Sequence, residues 1–229
     1  MDIYSIAIDG PAGSGKSTVE KALSDRLGII YVDTGAMYRT VAYYCMKNGI
    51  STTDGKAVAE ALDNIKMDIS IEDGVQRMIL NGEDVTGLIR SAEVGQGASD
   101  VGTFVPVRDR LVEMQQEMAK KTSVVMDGRD IGTVVLPNAE VKIYLNADVE
   151  ERARRRRKDF LAKGVDEPLE SVVEQIRRRD HNDMTREYNP LRKADDAVEI
   201  DTTGLNVEQV TEAIMKIVNE KTGKKTGEK

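Results

Sequence analysis

The apolar run Ile6, Ala7 and Ile8 leads through Asp9 into Gly10, Pro11, Ala12, Gly13, Ser14, Gly15, Lys16, Ser17 and Thr18, a complete G-x-x-x-x-G-K-[ST] loop between a strand and a helix. Glycines let such a loop fold tightly round a phosphate with its N–H groups pointing inward, and the following helix presents its positive end to the anion. Lys16 is placed to reach the β- and γ-phosphates of a nucleoside triphosphate, and Ser17 to ligate its magnesium.

Four further groups suit phosphate chemistry. Val124 to Met126 run into Asp127, a carboxylate ending a buried strand, where a second magnesium-organising group belongs. Asp33 to Arg39 follow another apolar run and open a helix, so Arg39 lies one turn inside a helix that starts at the ligand-binding carboxyl edge of an α/β sheet. A guanidinium there clamps a second phosphate bidentately, which Lys does less specifically; the alternative is a helix cap with a surface Arg. The run Arg152, Arg154, Arg155, Arg156, Arg157 and Lys158 wraps all faces of one helix, and its self-repulsion predicts a mobile lid, within about 151–165, that closes on ATP. Arg177, Arg178 and Arg179 precede Asp180, Asp183 and Arg186; spacing of i, i+4, i+7 puts Arg179, Asp183 and Arg186 on one helix face. His181 is the only histidine and takes no role, and Cys45 has no nearby base signal, so covalent hydrolase chemistry falls away.

These groups need a scaffold. Apolar runs at Tyr4 to Ile8, Ile29 to Val32, Val124 to Met126, Val141 to Leu145 and Ala197 to Ile200 are continuous enough for a buried parallel sheet. Helical periodicity spans Lys16 to Leu27, Ala36 to Asn48, Val107 to Lys120, Glu150 to Lys163 and Val207 to Val218, the last with Asn206 as N-cap. The alternation implies an α/β sheet with right-handed crossovers. From Met67 to Val85 the pattern changes to alternation around two turn signals, Asp73-Gly74 and Asn81-Gly82, predicting a small antiparallel insert flanked by helices at Lys56 to Asn64 and Glu93 to Ser99. The stretch Glu220 to Lys229 has no apolar residue and is expected to fray.

The 229 residues suffice for one sizeable domain with an insertion. A net charge of −7 and a pI near 5.0 argue against a general nucleic-acid binder. Yet Glu151 to Lys193 holds thirteen Lys or Arg against nine Asp or Glu, a local surplus that marks the place to look for phosphate oxygens. No apolar run approaches the roughly 18 residues of a membrane span, and Met1 to Tyr4 lacks the basic start of a secretory signal, so a cytoplasmic protein without membrane partners is expected. The single cysteine fits a reducing compartment and excludes an internal disulfide or a Cys-based metal cluster. No exposed apolar helix stripe stands out as a dimer surface, so monomer is the default.

Taken together, Gly10 to Thr18, D-T-G-A-M-Y-R from Asp33 to Arg39, D-G-R-D-I-G-T-V-V from Asp127 to Val135, and Arg179 to Arg186 resemble the bacterial cytidylate kinases over nearly the whole chain. The second and third segments are specific to that family among nucleoside monophosphate kinases, whereas the phosphate loop is shared widely. The resemblance implies a P-loop nucleoside monophosphate kinase fold: a five-stranded parallel sheet flanked by helices in a core of 1–54 and 102–219, a monophosphate-binding insert at 55–101, an Arg-rich helical lid and a tail at 220–229. It implies ATP-dependent phosphorylation of CMP and dCMP to CDP and dCDP in pyrimidine metabolism, with Mg2+ accompanying ATP and no nucleic-acid partner. Carried across residue by residue, Ser99, Arg108 and Asp130 match positions that contact cytosine; Arg39, Arg129 and Arg186 match contacts to the monophosphate; Arg179 and Asp183 match residues near ribose and phosphate. Many relatives carry Ser where this chain has Thr34, and the hydroxyl survives. Lys16, Asp127, Arg129 and Arg186 are the expected catalytic set.

The nearest competing reading is another small-molecule kinase acting on UMP, a deoxynucleoside or a shikimate-like acid, against which Ser99, Arg108 and Asp130 argue. A P-loop GTPase switch would carry N-K-x-D, and the chain has no Asn-Lys dipeptide. An RNA-binding surface built on the Arg cluster would show a steep salt dependence.

Overall fold

A computed structural model describes residues 3–72, 75–162 and 164–223. In chain order the elements are β1 (Ser5–Asp9), α1 (Lys16–Leu27), β2 (Ile30–Asp33), α2 (Thr34–Lys47), α3 (Gly55–Ala61), β3 (Met67–Glu72), β4 (Val75–Leu80), β5 (Glu83–Asp84), α4 (Ala92–Val101), α5 (Val105–Ala119), β6 (Val124–Gly128), β7 (Val141–Asn146), α6 (Val149–Ala162), α7 (Leu169–Thr185), β8 (Val198–Asp201) and α8 (Val207–Thr222). Five strands form a parallel sheet in the order β2-β6-β1-β7-β8; β3, β4 and β5 form a separate antiparallel sheet.

The continuous apolar runs are explained by burial on both faces of the parallel sheet. Strand side chains alternate: Ile6, Ile8 and Val125 pack with Val19 and Leu23 of α1 and Val210, Ile214 and Val218 of α8, while Ala7, Val124 and Met126 pack on the other side with Val32, Ile131 and Val135. Helix starts follow the caps. Asp33 caps α2 by accepting from the Ala36 N–H at 2.8 Å, and Asn206 forms a capping box with Gln209 at α8.

The insert forms as expected around Asn81-Gly82, both at positive φ, with Leu80 paired to Glu83. The other turn signal, Asp73-Gly74, lies outside the described residues, as do Lys163, where α6 was expected to end, and the tail beyond Gly223. The insert shares its core with α2: Met37, Val41 and Cys45 pack with Met78, Leu80, Val85 and Ile89.

Three expectations need correction. A 17-residue helix, α7, stands where the sequence showed only a charge cluster with helical spacing from Arg179, and it pairs with α6 through Ala153, Val172 and Ile176. That helix ends at Thr185, so Arg186 does not share a helix face with Arg179 and Asp183; its backbone is extended at φ −60° and ψ 140°. The predicted helix over Lys56 to Asn64 likewise closes as a 3-10 turn from Leu62 to Asn64.

Candidate active site

At the carboxyl end of β1 the phosphate loop turns into α1. Gly10 must be glycine, because a Cβ there would run into the carbonyl oxygen of Leu145 on β7; Gly15 sits at φ +91° as the N-cap of α1. The loop is braced from behind: Asp180 accepts from the Ala12 N–H at 3.1 Å and Arg152 donates to the Ala12 carbonyl at 2.9 Å. Lys16 is folded over the loop, donating to the carbonyls of Gly10 and Pro11 at 2.7 and 2.9 Å and to Ser14 Oγ at 3.3 Å. Burial, reinforced by Arg129, lowers its pKa to about 7. An ammonium so placed exchanges neutral carbonyls for phosphate oxygens with a gain in charge pairing. Ser17 is exposed beside it and lines a cleft of about 800 Å³ with Arg39 and Arg156.

Asp127, the last residue but one of β6, lies opposite Asp33 of β2 and is buried. Burial, with Asp33 close by, pushes its carboxyl up to about 7 despite Lys16 and Arg129. The Tyr31 hydroxyl donates to Asp127 Oδ1 at 3.4 Å, and the Thr34 hydroxyl to the Asp127 carbonyl. Glu20, one turn into α1, is fully buried with both carboxyl oxygens unpartnered; burial and Asp127 raise its pKa well above the usual range. These donors are all oxygen, and the under-compensated carboxyls favour a hard divalent cation, so the site fits magnesium. Among the described residues no three acidic, His or Cys side chains form a complete protein cage. Magnesium ordinarily combines one or two protein oxygens with waters and phosphates, so Ser17 and Asp127 suffice.

All nine expected acceptor-site residues, Thr34, Arg39, Ser99, Arg108, Arg129, Asp130, Arg179, Asp183 and Arg186, line one cavity at the same sheet edge. Its lining holds five arginines and two aspartates. Arg108 and Asp130 form a buried ion pair, and the Arg186 guanidinium approaches Asp130 Oδ1 at 3.5 Å. Arg129 Nε donates to Asp183 at 2.6 Å; burial opposes the Asp183 charge, but Arg129, Arg179 and Arg186 hold its pKa below the usual range. Four buried guanidinium nitrogens of the cavity make no hydrogen bond: Arg39 Nε, Arg108 Nε, Arg179 Nε and Arg186 Nη2, the last only within ion-pair reach of Asp130. Burial, with Arg129 adding to it, brings the Arg179 pKa down to about 10. Unpaired guanidinium donors round a cavity are a built anion site.

The arginine run of α6 is not the mutually repelling set expected. Arg152 is buried against Asp180 at 2.5 Å; Arg154 and Arg155 pair with Glu150 and Glu151, and Arg157 with Asp166. Arg156 differs: its Nε has no partner, its guanidinium lies 5.3 Å from the Phe160 ring centre, and it borders the large cleft. Several contributors had no signal in the sequence. Asp9 accepts from the N–H groups of Ile131 and Gly132 at 2.8 and 2.7 Å, fixing the turn after Asp130. Gln115 lines the same cavity as Arg108 and Asp130, and Gln76 reaches the β2–α2 turn.

The parallel sheet, the Lys-bearing loop at its edge and an anion cavity facing that loop define a P-loop phosphotransferase. The cytidylate kinase family profile matches residues 6–220. The chain is 52% identical over 217 residues to the cytidylate kinase of Caldicellulosiruptor bescii, covering 95% of this chain and 96% of that protein. It is 50% identical over 218 residues to that of Geobacillus sp., covering 95% and 97%. The chain belongs to the cytidylate kinase family. Among solved structures, a gluconokinase from Sinorhizobium meliloti shares the fold at a TM-score of 0.50 and 14% identity, covering 96% of this chain and 95% of that one. An uncharacterized protein from Eubacterium ventriosum does so at 0.54 and 15%, covering 94% and 98%.

Proposed function

We propose that the protein transfers the γ-phosphoryl group of ATP to CMP and dCMP, giving ADP and CDP or dCDP. The observation that carries this reading is the acceptor cavity, where a buried Arg108–Asp130 pair adjoins buried donors of Arg39, Arg179 and Arg186 that make no hydrogen bond. One end suits a hydrogen-bonding base and the other a phosphate.

The roles follow from charge and position. The loop from Gly10 to Thr18 holds the ATP phosphates, with Lys16 on the β- and γ-oxygens. Ser17 and Asp127 hold magnesium, which supplies neutralisation of the phosphate charge when bound. Arg39, Arg129 and Arg186 grip the acceptor monophosphate and offset charge spreading over the transferred group. Asp183 orients Arg129 and, with Arg179, borders the ribose. Asp130 accepts from the exocyclic amine of cytosine while Arg108 and Ser99 meet its acceptors; the Thr34 hydroxyl fixes the Asp127 peptide between donor and acceptor sites. In-line transfer needs positioning more than a strong base, so the lack of an imidazole in the cavity is no obstacle. Exclusion of water falls to the α6–α7 hairpin and to the insert at 55–101, which close over the core of 1–54 and 102–219.

The test is ADP release with magnesium and ATP in the presence of CMP, dCMP, UMP, AMP, GMP or shikimate at equal concentration. Fast turnover confined to CMP and dCMP is expected. Preference for another acceptor would overturn the cytosine roles of Ser99, Arg108 and Asp130.

A further inference from the structure

Strand β2 lies at an edge of the parallel sheet, so backbone groups facing away from β6 have no ladder partner within that sheet. At its last residue, Asp33, one side chain from the other sheet meets both groups. Gln76 Oε1 accepts from the Asp33 N–H at 2.9 Å, and Gln76 Nε2 donates to the Asp33 carbonyl at 3.2 Å. A primary amide carries a donor and an acceptor side by side, so Gln76 stands in for one residue of a neighbouring strand.

Asp33 is also the start of the phosphate-gripping turn. Its carboxylate caps α2 through the Ala36 N–H at 2.8 Å and holds the Arg39 guanidinium at 2.7 Å, and the next residue, Thr34, bonds to the Asp127 carbonyl. The peptide that Gln76 engages therefore carries the groups that aim Arg39. Gln76 is half-buried, uncharged and borders the large cleft beside Arg39, so it fixes the turn without competing for a phosphate.

We infer that Gln76 is a positioning residue for the acceptor phosphate: its amide docks β4 of the insert onto the Asp33 peptide and so holds Arg39 in register with the monophosphate. The inference rests on reading the cavity as the CMP site. Loss of the two bonds frees the β2–α2 turn, and the grip on the acceptor weakens while the ATP loop, built on β1 and α1, is untouched.

Gln76→Leu keeps the side-chain bulk and removes both bonds. The expected result is a KM for CMP about tenfold higher, as two modest hydrogen bonds allow, with KM for ATP within twofold of the parent. Amide exchange across 33–36 accelerates in the same variant. A merely structural role would raise both KM values together; that outcome, or a KM for CMP within twofold of the parent, overturns the proposal. Gln76→Glu keeps the acceptor for the Asp33 N–H but loses the donor, and is expected to fall between the parent and Gln76→Leu; parental exchange and KM for CMP in this variant also overturn it, which covers a Leu variant that fails to fold. If the parent protein leaves CMP unphosphorylated, the functional reading fails by itself. The exchange comparison then decides the docking contact, and unchanged protection at Asp33 rejects it.

Discussion

Arg152 and Asp180 clamp one residue of the phosphate loop from both sides: Asp180 takes the Ala12 N–H, Arg152 gives to the Ala12 carbonyl, and the two side chains bond each other at 2.5 Å. Both are buried, one on α6 and the other on α7. The base of the α6–α7 hairpin is thereby fixed to the phosphate loop, so under the proposed function closure falls to its distal part.

Breaking a buried pair leaves an uncompensated charge and costs about 3–5 kcal/mol. Arg152→Leu should therefore lower the thermal midpoint by roughly 6–20 °C, at about 2–4 °C per kcal/mol for a chain of this size. Calorimetric unfolding checks this; a midpoint within 2 °C of the parent would show that the clamp does not brace the loop.

Lys16 has a pKa of about 7 while it rests on backbone carbonyls, and triphosphate oxygens must raise it. At pH 8 the free lysine is mostly neutral and the ATP-bound one charged, so binding should take up a proton, and the uptake should fade below pH 6. Calorimetry in buffers of different ionisation enthalpy reads this directly. Lys16→Ala should abolish the uptake and cut turnover at least a hundredfold; turnover within threefold of the parent contradicts the role.

Asp130→Asn replaces one acceptor oxygen with a donor that opposes the cytosine amine and leaves Arg108 without its buried counter-charge. The expected result is a KM for CMP raised a hundredfold or more with KM for ATP changed less than threefold, since a hydrogen-bonding site rejects a mispaired base by factors up to about ten thousand. Equal losses for both nucleotides count against base reading.

Arg156 is the arginine of the α6 run without a carboxylate partner among the described residues. Arg156→Ala should raise KM for ATP or lower kcat at least tenfold, and Arg154→Ala, which removes only pairs of an exposed arginine with Glu150 and Glu151, should do neither. ATP should slow amide exchange across 153–162; the same exchange at saturating nucleotide removes the lid.

Glu20 is a buried acid with no hydrogen-bond partner, a state that costs about 1–3 kcal/mol. Glu20→Met, similar in volume and apolar, should raise the thermal midpoint by roughly 2–12 °C. A lower midpoint would mean that the carboxyl is paired in solution.

The chemistry was legible where its determinants are local. Nine consecutive residues specify the phosphate loop, because its glycine conformations, helix start and Lys16 all act within two turns of chain. The strand runs and Asn206 were readable for the same reason: burial on both sheet faces and a cap each leave a short-range pattern. Arg39 was placed by its position in a helix opening at the sheet edge. Beyond that range the sequence carries no partner list. Six adjacent cations read as mutually repelling, yet carboxylates on α6 itself, on the α6–α7 connection and on α7 pair four of the arginines and leave Arg156 to the cleft. Arg186 looked like a third residue on a helix face, but the helix ends first and an extended backbone delivers its guanidinium to Asp130 and Asp183. Gln76 reaches Asp33 across 43 residues of sequence and Asp9 reaches Ile131 across 122. What the sequence by itself determined was the set of reactive groups and the elements that carry them. Which charges are neutralised and which are left for substrate was decided only by the tertiary structure, because pairing of buried ions depends on a few ångströms between distant segments that no local spacing encodes.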